Sequence, residues 1–457
     1  MRRRGHPSER VRATWDHVRT SLWFVPAVMT LIGGGGLTAA GLALDAALGT
    51  DTAVPGWVYV ASPDDARTIL TTLLQSMMTM TSLVFSITMV VLTLAARQFG
   101  PRLVRNFMGS LATQVVLGTF VTTIVYCLLV LSAVGWRGEE GLFPYASVTI
   151  AIALSLVSVG MLVFFIHALS RSLFAEVVIE RVGRELDGAQ AELRPLAPED
   201  GEDPEQVLPA DFADRARYFG PTIAGYVQAI EFERLVAIAA ENDLFLGFHF
   251  RAGDYVAADG RGIGAYPGER IRPDLIEAIN GAVVVGTQRT LVQDLEFPIR
   301  HLVEIAVRAL SPGTNDPYTA VAALHRLSAA FAELMGRALP PGVFRDRSGA
   351  VRVVCPRPTY AGLLGAAFDQ IRQNGADKPL VLIHMAEAVT RIADHARRSD
   401  QVEALRDQLR VIDAAAARSV EEPADRNDVR RHVEKAEQAL LRAEGRCGPP
   451  TPPRDAG

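Results

Sequence analysis

The chain has 457 residues, 49% of them hydrophobic, and a formal net charge of −5. That balance offers no basic surface and argues against a nucleic-acid partner. Cys127, Cys355 and Cys447 are odd in number and too scattered for a zinc spacing or a disulfide framework, which fits a large domain in a reducing compartment.

Residues 1–21 are a basic N-terminal segment carrying Arg2, Arg3, Arg4, Arg10, Arg12 and Arg19. Residues 22–170 hold four apolar runs, roughly Leu22 to Leu44, Ile69 to Ala96, Leu111 to Val134 and Ala146 to Leu169. Each exceeds the roughly 20 residues needed to cross about 30 Å of hydrocarbon. None has an Asp, Glu, Lys or Arg in its interior. The first run is too long for a signal-peptide core of about 7–15 residues, so it reads as a true span. The loop between spans two and three carries Arg97, Arg102 and Arg105, and Arg171 follows span four. Asp45, Asp51, Asp64 and Asp65 follow span one, and Glu139 and Glu140 follow span three. The excess of arginine on one side predicts both termini in the cytoplasm of a cell whose inner (plasma) membrane holds the chain. Trp23, Trp57, Tyr59 and Trp136 fall near the predicted interfaces.

Span two differs from the others. Thr72, Gln75, Thr79, Ser82, Ser86 and Thr93 recur mostly at steps of three and four and mark one stripe on a helix. The stripe reads either as the lining of a polar path built from several subunits or as hydrogen-bonding glue between helices. The run Gly33 to Gly36 in span one suits close helix packing or a midplane break. The spans lack the intramembrane acids of a proton-driven pump, and His167 at the end of span four is the nearest substitute.

Residues 171–210 are expected to continue span four as a charged helix and then to form a mobile Pro/Glu/Asp-rich linker. Residues 211–270 contain strand patterns at Gly225 to Ile230 and Leu244 to Phe250, with Gly253-Asp254 at a turn, and predict a small β-barrel or sandwich. Residues 271–445 read as helical and 446–457 as a disordered tail. Helices are expected at about 295–310 and 317–339, with Asp316 capping the second and Pro317 opening it. The overall expectation is a membrane α-helical protein with four transmembrane helices and a mixed α+β cytosolic domain.

The densest polar stretch runs from Gln288 to Asp316 and supplies Arg289, Asp294, Arg300, His301, Glu304, Arg308, Asn315 and Asp316 as site candidates. His301 and Glu304 with His325 are a conceivable metal set, but His-x-x-Glu alone is weak and a structural ion-pair network is the preferred reading. Arg289, Arg300 and Arg308 also suit a small anion. His384, Glu387, His395 and His432 read as ordinary surface or boundary residues. No metal and no cofactor is expected.

Gln288-Arg-Thr with Phe297-Pro-Ile-Arg, and Arg308-Ala-Leu-Ser-Pro-Gly-Thr-Asn-Asp-Pro, carry a resemblance. So do Gln98-Phe-Gly-Pro-Arg, Gly225-Tyr-Val-Gln and Phe368-Asp-Gln-Ile-Arg. Together they resemble a bacterial family of predicted membrane proteins catalogued as domain of unknown function number 2254. The resemblance implies the four-span architecture and brings no activity or catalytic residue. The leading expectation is an oligomeric channel or channel-like pore with a cytosolic regulatory domain. The alternative is a membrane-anchored sensor or scaffold that binds a small ion, ligand or partner. No catalytic motif points to an enzyme.

Overall fold

The computed structural model describes residues 23–48, 63–99, 111–137, 145–172, 174–197, 202–258 and 260–447. The basic N-terminus, the loop residues Trp57, Tyr59, Arg102, Arg105, Glu139 and Glu140, and the tail beyond Cys447 lie outside them. The chain divides into two units, Met1–Phe174 and Ala175–Gly457.

The first unit is helical: α1 (Phe24–Met29), a π-turn (Thr30–Gly34), α2 (Gly35–Leu48), α3 (Pro63–Phe99), α4 (Leu111–Arg137) and α5 (Tyr145–Ser172). Its stretches Phe24–Ala47, Asp64–Leu94, Thr113–Ala133 and Tyr145–Leu169 are long and apolar enough to cross a membrane. The protein is a membrane protein. α4 touches every other helix of the unit and is the most buried span. Val116, Leu117 and Phe120 of α4 pack with Met77, Val84 and Val91 of α3 and with Phe165 and Leu169 of α5. Close approach is built from glycine. A Cβ on Gly33 would lie 3.2 Å from Thr122 Cγ2, and one on Gly118 would lie 2.6 Å from Met29 Sδ. Gly35 and Gly36 face open space, so half of the glycine run has no packing role within the chain.

Asp45 departs from its expected place in the loop after span one. It sits inside α2, is 3% exposed, and caps the start of α5. Its Oδ1 accepts from the Ala146 backbone N–H at 2.6 Å, and its Oδ2 accepts from the Ser147 N–H at 3.2 Å and the Ser147 hydroxyl at 2.5 Å. The first N–H groups of a helix have no partner in their own helix and carry partial positive charge, so a carboxylate stabilises them.

The second unit opens with α6 (Ala175–Ala191), a helix of its own beyond non-helical Phe174 instead of a continuation of the fourth span. The described part of the linker is tied down. Leu196 N–H donates to Gly336 O at 3.0 Å, and Arg345 Nη2 pairs with Glu202 Oε1 at 2.5 Å. There follow α7 (Phe212–Arg215), β1 (Arg217–Phe219), β2 (Gly225–Ile230), α8 (Phe232–Glu241), β3 (Phe245–Phe248), β4 (Tyr255–Val256), β5 (Ile263–Tyr266), α9 (Pro273–Asn280) and β6 (Val283–Gly286). Next come α10 (Glu296–Leu310), α11 (Pro317–Leu334), β7 (Val343–Arg345), β8 (Val351–Val354), α12 (Tyr360–Asn374), α13 (Pro379–Ala393), α14 (Ser399–Ser419) and α15 (Pro423–Cys447).

Among the described residues the strands form two sheets and no closed barrel. One has the order β1-β5-β3-β8-β7, the other β4-β2-β6. All pairs are antiparallel except β3 with β8, where Leu246 faces Val353 in parallel register. The β part thus reaches well beyond residue 270, because β6, β7 and β8 come from the stretch expected to be helical. Val227 and Ile230 of one sheet share a core with Leu246, Ile263 and Val353 of the other and with Leu235, Ala239 and Ile279 of α8 and α9. The remaining helices pack with one another, and α6 lies against α10 and α11. The cap foreseen at Asp316 is present: its Oδ1 accepts from Thr319 N–H at 3.1 Å.

Candidate functional site: an arginine–carboxylate cavity

β6 ends at Gly286 and delivers the polar segment to the side of β2. There the Gln293 side chain acts as a strand partner. Its Oε1 accepts from Ile230 N–H at 3.0 Å, and its Nε2 donates to Ile230 O at 3.2 Å. Gln228 Nε2 holds the Gln288 carbonyl at 2.8 Å. These bonds fix the loop that leads into α10 and so fix Arg289 and Asp294.

Asp294 is buried, with its side chain 4% exposed. Its Oδ2 accepts from Arg289 Nε at 2.7 Å and lies 2.6 Å from Arg289 Nη2, while Oδ1 accepts from Glu296 N–H at 3.1 Å. Burial pushes the Asp294 carboxyl up, against the pull of the Arg289 guanidinium. Glu296 is shared by three cations: Arg300 Nη2 at 3.2 Å, Arg289 Nη2 at 3.4 Å and Arg251 Nη2 at 3.5 Å. Gly253 makes room for this cluster. Its φ of +95° suits glycine, and a Cβ there would fall 2.4 Å from Asp294 Oδ2.

Arg251, Asp294 and Glu296 line one wall of a cavity of about 300 Å³. Phe232, Phe344, Pro341 and Leu363 line it too, and Phe232 and Phe344 stack with ring centroids 3.9 Å apart. The volume is near the lower end for small-molecule sites, about 300–1,000 Å³. Arg251 stands in the cavity lining with three carboxylates, Glu192, Asp294 and Glu296, while Arg289 and Arg300 pair with Asp294 and Glu296 without being part of that lining. Cys355 also lines the cavity, but burial pushes its thiol up to about 12, so it stays protonated and unreactive at neutral pH.

The polar candidates therefore separate. Asp294 lines the cavity, and Arg289 and Arg300 join it in one ion-pair cluster through Asp294 and Glu296. His301 is 5% exposed and packs against the Phe297 ring at 4.3 Å. Glu304 pairs with Arg308 at 3.0 Å further along α10. Asn315, with φ of +46°, shapes the turn before α11, and Asp316 caps that helix. The set His301, Glu304 and His325 is not assembled, because His301 is inside and His325 is exposed against His384. Arg251 and Glu296 went unnoticed in the sequence, since nothing local links a hairpin arginine to a helix start more than forty residues on.

In the first unit, Thr72, Gln75, Thr79, Ser82, Ser86 and Thr93 are all exposed. At about 100° per residue they fall in a sector roughly 80° wide. That sector lies opposite the buried face of α3, made by Ala66, Leu70, Met77, Val84, Thr88 and Val91. Hydroxyls of Thr72, Thr79 and Thr93 donate to the carbonyls of Thr68, Gln75 and Met89 at 2.8–3.0 Å. Among the described residues, the stripe thus does not pack α3 onto the other helices of its own chain.

Four membrane-crossing helices joined in sequence to a mixed α/β unit define the class of protein. Residues 19–391 match the family described as predicted membrane protein (DUF2254), and the chain belongs to that family. It is 31% identical over 451 residues to the uncharacterized protein Rv1290c of Mycobacterium tuberculosis, covering 96% of this chain and 84% of that one. The uncharacterized protein Mb1321c of Mycobacterium bovis matches to the same extent. No solved structure matches the chain.

Proposed function

We propose that the protein is a homo-oligomer of the inner (plasma) membrane, with both termini in the cytoplasm, in which α3 of each copy lines a polar path for a small ion. The observation that carries this reading is the position of the stripe. Gln75 and the hydroxyl residues occupy the face of α3 that the rest of the chain leaves uncovered. A side-chain amide facing lipid is unfavourable, and a second copy or a water-filled axis relieves that cost. The charges of the spans, Asp45, Asp64, Asp65 and Arg67, lie near span ends, which fits passive passage and not proton coupling. The arginine pattern around the spans supports the orientation, and the second unit then serves as a regulatory domain with no catalytic role.

The test is conductance in planar bilayers in symmetric KCl. The reading expects discrete currents from the wild-type chain, reduced severalfold by Thr79→Trp or Ser82→Trp and unchanged by Val163→Trp on exposed α5. Bilayers no more conductive than protein-free ones count against it.

The cavity favours a second reading, a membrane-anchored sensor that takes a small ligand between Arg251 and Phe344. The spans then act as anchor and oligomerisation device.

A further inference from the structure

Away from the cavity, the second unit gathers four metal-ligating side chains from three helices. His325 lies on α11, His384 and Glu387 lie one turn apart on α13, and His432 lies on α15. His325 Nε2 and His384 Nδ1 are 3.4 Å apart. The Glu387 carboxylate spans the group, with Oε2 2.9 Å from His384 Nδ1 and Oε1 3.5 Å from His432 Nε2. Ligand atoms of His325, His384 and Glu387 all fall within 4.8 Å of one another. Bonds of about 2.0–2.1 Å to a tetrahedral zinc ion place neighbouring ligand atoms about 3.3 Å apart. The His325–His384, His384–Glu387 and His432–Glu387 spacings bracket that value, and His432 reaches the trio of His325, His384 and Glu387 through the Glu387 carboxylate.

His432 gives an independent sign. Its Nδ1 lies 2.8 Å from the Asp428 carbonyl oxygen, which can only accept, so Nδ1 carries the proton. Nε2 is then the ring nitrogen left to face a carboxylate oxygen. Two acceptors in that position repel unless a proton or a metal ion lies between them. An imidazole whose far N–H is anchored on a backbone carbonyl is the usual arrangement of a metal ligand. His384 has a similar conflict, because one nitrogen faces both the Glu387 carboxylate and the His325 ring.

We infer that His325, His384, Glu387 and His432 bind a divalent first-row transition-metal ion of the zinc class, clipping α11, α13 and α15 together. Three imidazoles and one carboxylate suit zinc, and equally cobalt as its spectroscopic stand-in. Such an ion would couple the C-terminal helix to the helices packed around it.

The test uses the full chain purified in detergent without a polyhistidine tag, stripped with EDTA and dialysed against ZnCl2. The inference expects about one zinc ion per chain, held by the four protein ligands. His325→Ala and His384→Ala are each expected to weaken binding at least tenfold. The exposed His395→Ala should bind as the wild type does. His325 is exposed, so its removal leaves the packing intact and separates ligand loss from misfolding. Cobalt added to the stripped wild type should give the visible bands of four-coordinate Co2+, and His325→Ala should abolish them. Wild-type protein that holds no more zinc than a His325→Ala/His384→Ala chain overturns the inference. So does a folded His325→Ala chain with wild-type affinity and an unchanged cobalt spectrum.

Discussion

Replacing Arg289 by Ala is expected to destabilise the second unit by about 3–5 kcal/mol, the usual cost of leaving a buried charge without its partner. Arg289 is 16% exposed and Asp294 4%, so water cannot substitute for the lost guanidinium. Arg251 and Arg300 reach Glu296 and not Asp294, so neither takes over the role. The loss falls at the start of α10 and beside Gly253, where the backbone has no slack. A thermal midpoint of the full chain in detergent should fall by roughly 10 °C. The double change Arg289→Met/Asp294→Leu removes both charges and is expected to recover most of that loss, since paired buried charges contribute little net stability over apolar groups of similar size. A single variant as stable as the wild type would mean that Asp294 is neutral and held by its backbone contacts alone.

The second large effect is expected at Asp45. Asp45→Ala removes three hydrogen bonds at the start of α5 and should destabilise the first unit by about 2–3 kcal/mol. Asp45→Asn keeps one acceptor oxygen and should lose about half as much. The thermal midpoint of the detergent-solubilised chain reads this out. Equal thermal midpoints in wild type and Asp45→Ala would mean that Asp45 does not hold α2 to α5.

The features readable in the sequence were those whose cause is local. Apolar runs of sufficient length marked all four spans. Asp316-Pro317 announced a helix start because cap and ring act within one turn. Gly225 to Ile230 had strand chemistry in its own residues. What stayed hidden depends on distant partners. In place of the small barrel or sandwich expected within residues 211–270 there are two sheets, one of them completed by the parallel pairing of β3 with β8, a strand about a hundred residues away. Asp45 looked like a loop acid because the helix start it caps lies in another span. His325, His384 and His432 stood far apart with no shared motif, and only the packing of α11, α13 and α15 brings them together. The stripe on span two was visible as a period. Its direction was not, since that depends on which face of α3 meets α4.

The most direct measurement is a cryo-electron microscopy reconstruction of the detergent-purified assembly. The account expects several copies around an axis, with Thr72, Gln75, Thr79, Ser82 and Ser86 of each α3 facing it. A monomer, or an assembly in which those side chains point away from every other copy, contradicts it.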